Sequence, residues 1–237
     1  MLRFLTLSLL FAFSATLSAQ TADEVIDNYL EAIGGKEKLE SLQSMKIVGE
    51  SASQWGNSSM TVIQKAPNML KRIINAAGSD MTFAYDGKTA WTINPWQSGG
   101  KPQKIEGERA KEFENQEMAD PFLDYADKGH SIKLLGTEDV DDKECHKLRL
   151  KKSDGSEMIY YFDSETYHPL QMKMLMTEGQ AKGSLMVTRF SDYKEIDGYL
   201  FAHATEQFID GNSMFKFTIQ SIEVNPDLKN EEFKFPE

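Results

Sequence analysis

Residues 185–219 read LMVTRFSDYKEIDGYLFAHATEQFIDGNSMFKFTI. Two Asp-Gly pairs, Asp197-Gly198 and Asp210-Gly211, divide this stretch into three runs rich in β-branched and aromatic residues. Aspartate followed by glycine tolerates positive φ in a type I′ turn, whose twist matches that of two antiparallel strands. Each pair therefore predicts a hairpin. Asp86-Gly87 and Asp154-Gly155 repeat the signal between other strand-like runs. Apolar side chains recur at period two in Met60 and Val62, in Met81, Phe83 and Tyr85, and in Met158, Tyr160 and Phe162. Hairpin after hairpin from Met45 onward predicts an antiparallel meander. Strands do not alternate with long helical segments, which disfavours a parallel α/β sheet.

Two segments depart from this pattern. Thr21 followed three residues later by Glu24 has the capping-box spacing, and Val25, Ile26, Tyr29, Leu30 and Ile33 repeat at helical period until Gly34-Gly35. A short helical piece over Lys36–Leu42 then delivers the chain to the first strand. Gly107 to Asp127 is polar and helix-compatible, and Asp120-Pro121, an N-cap followed by proline, predicts a short second helix carrying Phe122, Leu123 and Tyr125. The expected fold is α+β and mainly β, with an N-terminal helix and a helical insertion laid over the sheet.

The N-terminus has the three parts of an export signal: Arg3, an apolar run from Phe4 to Phe13, and small residues Ser14 to Ala19. The run is about ten residues against the roughly 20 needed to span a bilayer. Residues 1–19 are thus expected to be cleaved near Ala19/Gln20, leaving 20–237 as a single periplasmic domain. The absence of a cysteine at that junction argues against lipid anchoring. Loss of Arg3 leaves 25 basic against 37 acidic residues, a charge of −12. Such a surface disfavours nucleic acid and anionic membranes, both of which are bound through Lys and Arg clusters. Cys145 is the only cysteine, so an internal disulfide is excluded, and a buried strand thiol is expected.

No catalytic or metal constellation has the required spacing. His130, His146, His168 and His203 are scattered. Cys145 and His146 are neighbours on a strand and point to opposite faces, and Glu138 to Glu144 lacks the ligand alternation of a calcium loop. No enzyme, cofactor or metal site is expected. The prominent feature is apolar: Leu170, Met172, Met174 and Met176 on one expected strand face, Met158, Tyr160 and Phe162 on another, and Phe215, Phe217 and Ile219 on a third. Methionine is over-used where a surface must fit variable apolar shapes. Periodicity does not separate a cavity from a filled core.

Residues Pro67-Asn68-Met69-Leu70, Tyr85-Asp86-Gly87-Lys88-Thr89-Ala90-Trp91 and Ile93-Asn94-Pro95-Trp96 follow an order that resembles the periplasmic outer-membrane lipoprotein carriers and lipoprotein-sorting proteins (the LolA/LolB-like superfamily). The opening around Tyr29–Gly35, Asp192-Tyr193-Lys194 with Asp197-Gly198, and the Asn225-Pro226 ending resemble a Bacteroidetes-type branch of it. The resemblance implies an incomplete antiparallel barrel, a half-barrel of roughly eleven strands whose concave face receives acyl chains beneath a helical lid. The ligand-lining candidates are Met69, Leu70, Phe83, Trp91, Met158, Tyr160, Met172, Met174, Phe215 and Phe217, and the lid candidates Phe113, Phe122 and Leu123. The implied partners of this monomer are a lipidated protein or lipid acyl chains, with a transient membrane-protein donor or acceptor. The family's latch arginine before Pro67 is Ala66 here, and its phenylalanine three residues after that proline is Leu70. The competing expectation is a non-catalytic envelope interaction or sensor domain using the same barrel.

Overall fold

The computed structural model describes residues 20–54, 56–177 and 181–236. The export signal expected over 1–19 lies outside the described residues. Thr21 caps α1 (Ala22–Ala32) with the reciprocal bonds of a capping box: Glu24 N–H donates to Thr21 Oγ1 at 3.2 Å and Thr21 N–H to Glu24 Oε2 at 2.7 Å. A short α2 (Lys36–Glu40) follows, ending before the expected Leu42.

The chain then builds a first meander, β1 (Ser44–Ser53), β2 (Gly56–Lys65), β3 (Met69–Ala76), β4 (Ser79–Tyr85), β5 (Ala90–Ile93), and, after α3 (Pro95–Ser98), β6 (Pro102–Ile105). α4 (Glu108–Glu114) and a run of turns to Gly129 carry the chain across the sheet. A second meander follows: β7 (Ser131–Val140), β8 (Lys143–Lys151), β9 (Glu157–Asp163), β10 (Pro169–Leu175), β11 (Leu185–Ile196), β12 (Tyr199–Ile209) and β13 (Asn212–Val224). β13 returns to pair with β1 from Met45↔Val224 to Ser53↔Phe215. The result among the described residues is one antiparallel sheet of 13 strands in the order β6-β5-β4-β3-β2-β1-β13-β12-β11-β10-β9-β8-β7. The half-barrel is open, its edges β6 and β7 unpaired with one another, and it has more strands than the roughly eleven expected.

All four Asp-Gly pairs sit between successive strands. Asp197-Gly198 and Asp210-Gly211 have positive φ at both residues, as do Ala77-Gly78 and Asp141-Asp142, which form two further tight hairpins inside less obvious sequence. Asp86 and Asp154 instead hold their loops with the side chain, Asp86 accepting from the Lys88 and Thr89 amides and Asp154 from Ser156. The helix expected from Asp120-Pro121 is a succession of turns. Asp120 does accept the Phe122 amide hydrogen at 2.8 Å, but Asp124 adopts φ 50°, which interrupts a regular helix and leaves turns as far as Gly129.

The two faces of the sheet are told apart by what covers them. Val25, Ile26, Tyr29, Leu30 and Ile33 of α1 pack with Phe122 on Leu148, Leu150 and Phe162 of β8 and β9. Ala110 and Phe113 of α4 pack on Phe83, Tyr85, Ala90 and Ile105 at the other end. This is the inner face. On the outer face the C-terminal tail runs back over the first meander: Leu228 and Phe233 pack on Ile63 and Met69, and Trp91 Nε1–H donates to the Phe233 carbonyl at 2.8 Å. Val140, Cys145 and Tyr161 form a second outer cluster, and burial pushes the Cys145 thiol up to about 11.

Phe233 has no solvent exposure. Phe233→Ala should cost about 3–5 kcal/mol in urea unfolding, while Trp96→Ala, at a site 57% exposed, should stay within about 0.5 kcal/mol. Where the crossing joins β7, His130 Nδ1 accepts the Ser153 amide hydrogen at 3.2 Å, which requires the neutral ring. Desolvation lowers the pKa of His130, and likewise of His146 and His168. Their unfolded value is about 6.5, so stability is complete above it and declines as pH falls through it. His130→Asn, which keeps an acceptor and removes the titration, should flatten the fall in thermal midpoint between about pH 6.5 and 5.

Candidate functional site

Side chains of directly paired residues share a face, so the register maps the inner surface from Tyr85 and Phe162 inwards. From one end the inward residues are Phe83 and Met81 on β4, Leu70, Arg72 and Ile74 on β3, and Val62 and Met60 on β2. From the other they are Tyr160 and Met158 on β9, Met172 and Met174 on β10, and Met186 and Thr188 on β11. Phe215 and Phe217 of β13 lie between, paired with Ser53 and Ser51 of β1. β1 is sunk at Gly49, where an added Cβ would stand 2.7 Å from the Phe217 ring. Phe217 is therefore buried against the floor. Most of the other large apolar side chains in this row, among them Met60, Phe83, Tyr160, Met172, Met174, Met186 and Phe215, are only half-buried. The two helix-packed clusters leave the middle of the inner face as an apolar trough.

The crossing from β6 to β7 roofs part of this trough. A cavity of about 730 Å³ lies between the segment Glu112–Pro121 and the side chains of Met158, Tyr160, Met174, Met186 and Gln207, with His130 and Lys152 at its rim. A smaller cavity of about 250 Å³ sits beneath α1, bounded by Tyr29, Met45, Met118, Asp120, Phe190 and Tyr193. Desolvation raises the pKa of Tyr160 and of Tyr193, so both phenols remain neutral donors.

With Ala66 before Pro67, the crossing is fastened by other bonds. Met118 N–H donates to the Pro67 carbonyl at 3.1 Å and the Asn68 amide to the Glu114 carbonyl at 3.4 Å. Tyr29 Oη donates to Asp120 Oδ2 at 2.6 Å, and Tyr125 Oη to Asp23 Oδ1, tying both sides of the turn run to α1. Lys128 Nζ donates to the Asp120 carbonyl at 2.9 Å. Desolvation pushes the Asp120 carboxyl up, against the opposing Tyr29 and Phe122 hydrogen bonds.

Not every candidate side chain faces this space. Met69 and Trp91 are on the outer face under the C-terminal tail, a correction to the cavity assignment. Each has the parity opposite to Leu70 and Ala90, which point inwards. Leu170 packs outside with Cys145 and Tyr161, because the register shift between Pro169 and Gln171 breaks the alternation that would align it with Met172. Leu70 is inward but 3% exposed, a core position. Met158, Tyr160 and Met174 meet at the larger cavity, with Met172 next in the row and Phe83 at the far end under Phe113. Phe122 and Leu123 belong to the roof itself and are buried, Phe122 in the core under α1. Met186 and Phe190 were not singled out, although the alternation Met186, Thr188, Phe190 carried the same signal as the methionines of β10.

No family model matches the chain, and no curated protein matches it. Among solved structures, the chain aligns over 91% of its length, and 98% of the other chain, with a DUF1329 family protein from Desulfovibrio piger at TM-score 0.63 and 13% identity. A LolA superfamily protein from Nitrosomonas europaea gives 0.59 at 14% identity over 91% of this chain and 98% of its own. A putative outer membrane lipoprotein-sorting protein domain from Vibrio parahaemolyticus gives 0.58 at 13% over 90% and 97%. At such identities what this chain shares with these structures is the fold, an open antiparallel half-barrel.

Proposed function

We propose that residues 20–237 form a single monomeric, non-catalytic periplasmic carrier that holds the acyl chains of a lipidated protein or free lipid for transfer toward the outer membrane. The observation that carries this reading is the row of half-buried methionine and aromatic side chains along the middle of the inner face, open between two packed helices. An ordinary core would bury them. The larger cavity falls within the roughly 300–1,000 Å³ usual for small-molecule sites. An acyl chain of about 16 carbons gains on the order of 12 kcal/mol from leaving water, at ~0.8 kcal/mol per methylene. Transport across an aqueous compartment therefore requires an apolar container. The likeness to structures described as LolA superfamily and lipoprotein-sorting proteins agrees with the proposal.

Protein isolated from a bacterial periplasm should show co-purifying lipid or lipopeptide in native mass spectra and take up a fluorescent fatty acid. Met174→Trp, which fills the larger cavity, should weaken uptake at least about tenfold, or 1.4 kcal/mol. An apo mass together with no uptake would sink the proposal. The roof should also govern release. Tyr29→Phe removes a hydrogen bond to a charged group worth about 1.5–3 kcal/mol and should speed dissociation of the fatty acid about tenfold or more in stopped-flow measurements.

A further inference from the structure

Arg72 is the one cation in the inward row of β3, and its surroundings are apolar. Val62 stands opposite it on β2 and Phe83 on β4, while Leu70 and Ile74 flank it on the same face of its own strand. Its Nε is buried and has no hydrogen-bond partner. Among the described residues no carboxylate pairs with it, and desolvation alone lowers its pKa, with no opposing negative charge. Arginine stays protonated even so. The residue as a whole is half-buried, yet a desolvated Nε with no counter-charge is unfavourable, and an apolar side chain in its place would remove that cost. The chain is rich in acidic residues, yet none among the described residues is set against this guanidinium.

We infer that the trough takes an amphiphile with an anionic head, a carboxylate or a phosphate, and that the Arg72 guanidinium is the counter-charge for that head. The inference rests on the carrier reading above and adds the polarity of the cargo. A guanidinium offers a planar fork that both oxyanions accept in bidentate fashion. Four strand intervals separate β3 from β12, where Gln207 borders the larger cavity, which is about 19 Å along the sheet at roughly 4.8 Å per strand. Cation and main cavity thus stand apart with an apolar floor between them, matching a molecule charged at one end only.

Three probes of equal chain length, dodecanoate, dodecyl phosphate and dodecanol, should be titrated calorimetrically into the full exported protein below their aggregation limits. Both anions should bind at least about tenfold more tightly than the alcohol, as a charge-assisted hydrogen bond implies. Arg72→Met should bring the anions level with dodecanol without weakening dodecanol. Arg72→Lys should retain part of the preference. The tighter of the two anions identifies the head group as phosphate or carboxylate. Arg72→Met should keep a thermal midpoint at or above that of the parent, which separates a lost contact from a lost fold. Equal binding of all three probes, or an anion preference that survives Arg72→Met, overturns the role of Arg72 and leaves the carrier reading standing. Failure of all three to bind overturns both.

Discussion

The pairing of the first strand with the last sets the shape of the molecule. β1 and β13 are far apart in sequence, yet their ladder joins two meanders that each need only local hairpins. Six strands lie on one side of that seam and seven on the other, so the seam is the floor of the trough. Asn225, just beyond β13, reinforces it with its side-chain oxygen, which accepts the Gln43 amide hydrogen at 2.7 Å and that of Ser44 at 3.2 Å. Gly49 lets the Phe217 ring settle across it. Without this long-range closure, neither the outer tail nor the inner roof would have a continuous surface to lie on.

Outer and inner faces then meet different requirements. Outside, the tail satisfies its polar groups as it goes. Lys65 Nζ donates to the Leu228 carbonyl at 2.7 Å, Lys71 to Glu232 at 3.1 Å, and Trp91 to Phe233. Those bonds, with Phe233 fully buried, fix the first meander from behind. Inside, packing is dense only under α1 and α4, and the methionines between them remain accessible. The same sheet is rigid on one side and receptive on the other.

The sequence made the meander legible because turn chemistry is local: Asp197-Gly198 and Asp210-Gly211 demand their φ values whatever surrounds them. It made α1 legible for the same reason, through Thr21 and Glu24. The assignment of side chains to faces was less so. Met69 and Leu70 are adjacent and equally apolar, and parity alone decides which one looks inwards. Here the outer face also needs apolar residues, because a C-terminal tail covers it, and nothing local in Trp91 announces Phe233 more than a hundred residues away. The irregularity before Gln171 likewise moves Leu170 to the other side of the sheet. Arg72 carried no motif at all. Its meaning comes from Val62 and Phe83, neighbours that only the register supplies.

A carrier of the kind proposed would have to bind strongly and release readily, and the construction of the roof is compatible with both demands. The crossing segment is not one long helix but α4 followed by turns, so it can lift without unwinding an extended hydrogen-bond ladder. Phe122 anchors its turn run in the core under α1, its polar ties to α1 include two tyrosine–aspartate bonds, and those to the Pro67-Asn68 corner two hydrogen bonds. At about 1–3 kcal/mol each, these can be broken in succession by a partner that supplies only part of the energy at a time. The methionines beneath would add no directional bonds to such a cargo, so with the roof lifted an acyl chain would slide out methylene by methylene, at ~0.8 kcal/mol per step. On that view a single half-buried cation at one end of the floor would leave the chain free to move first and its charged head last.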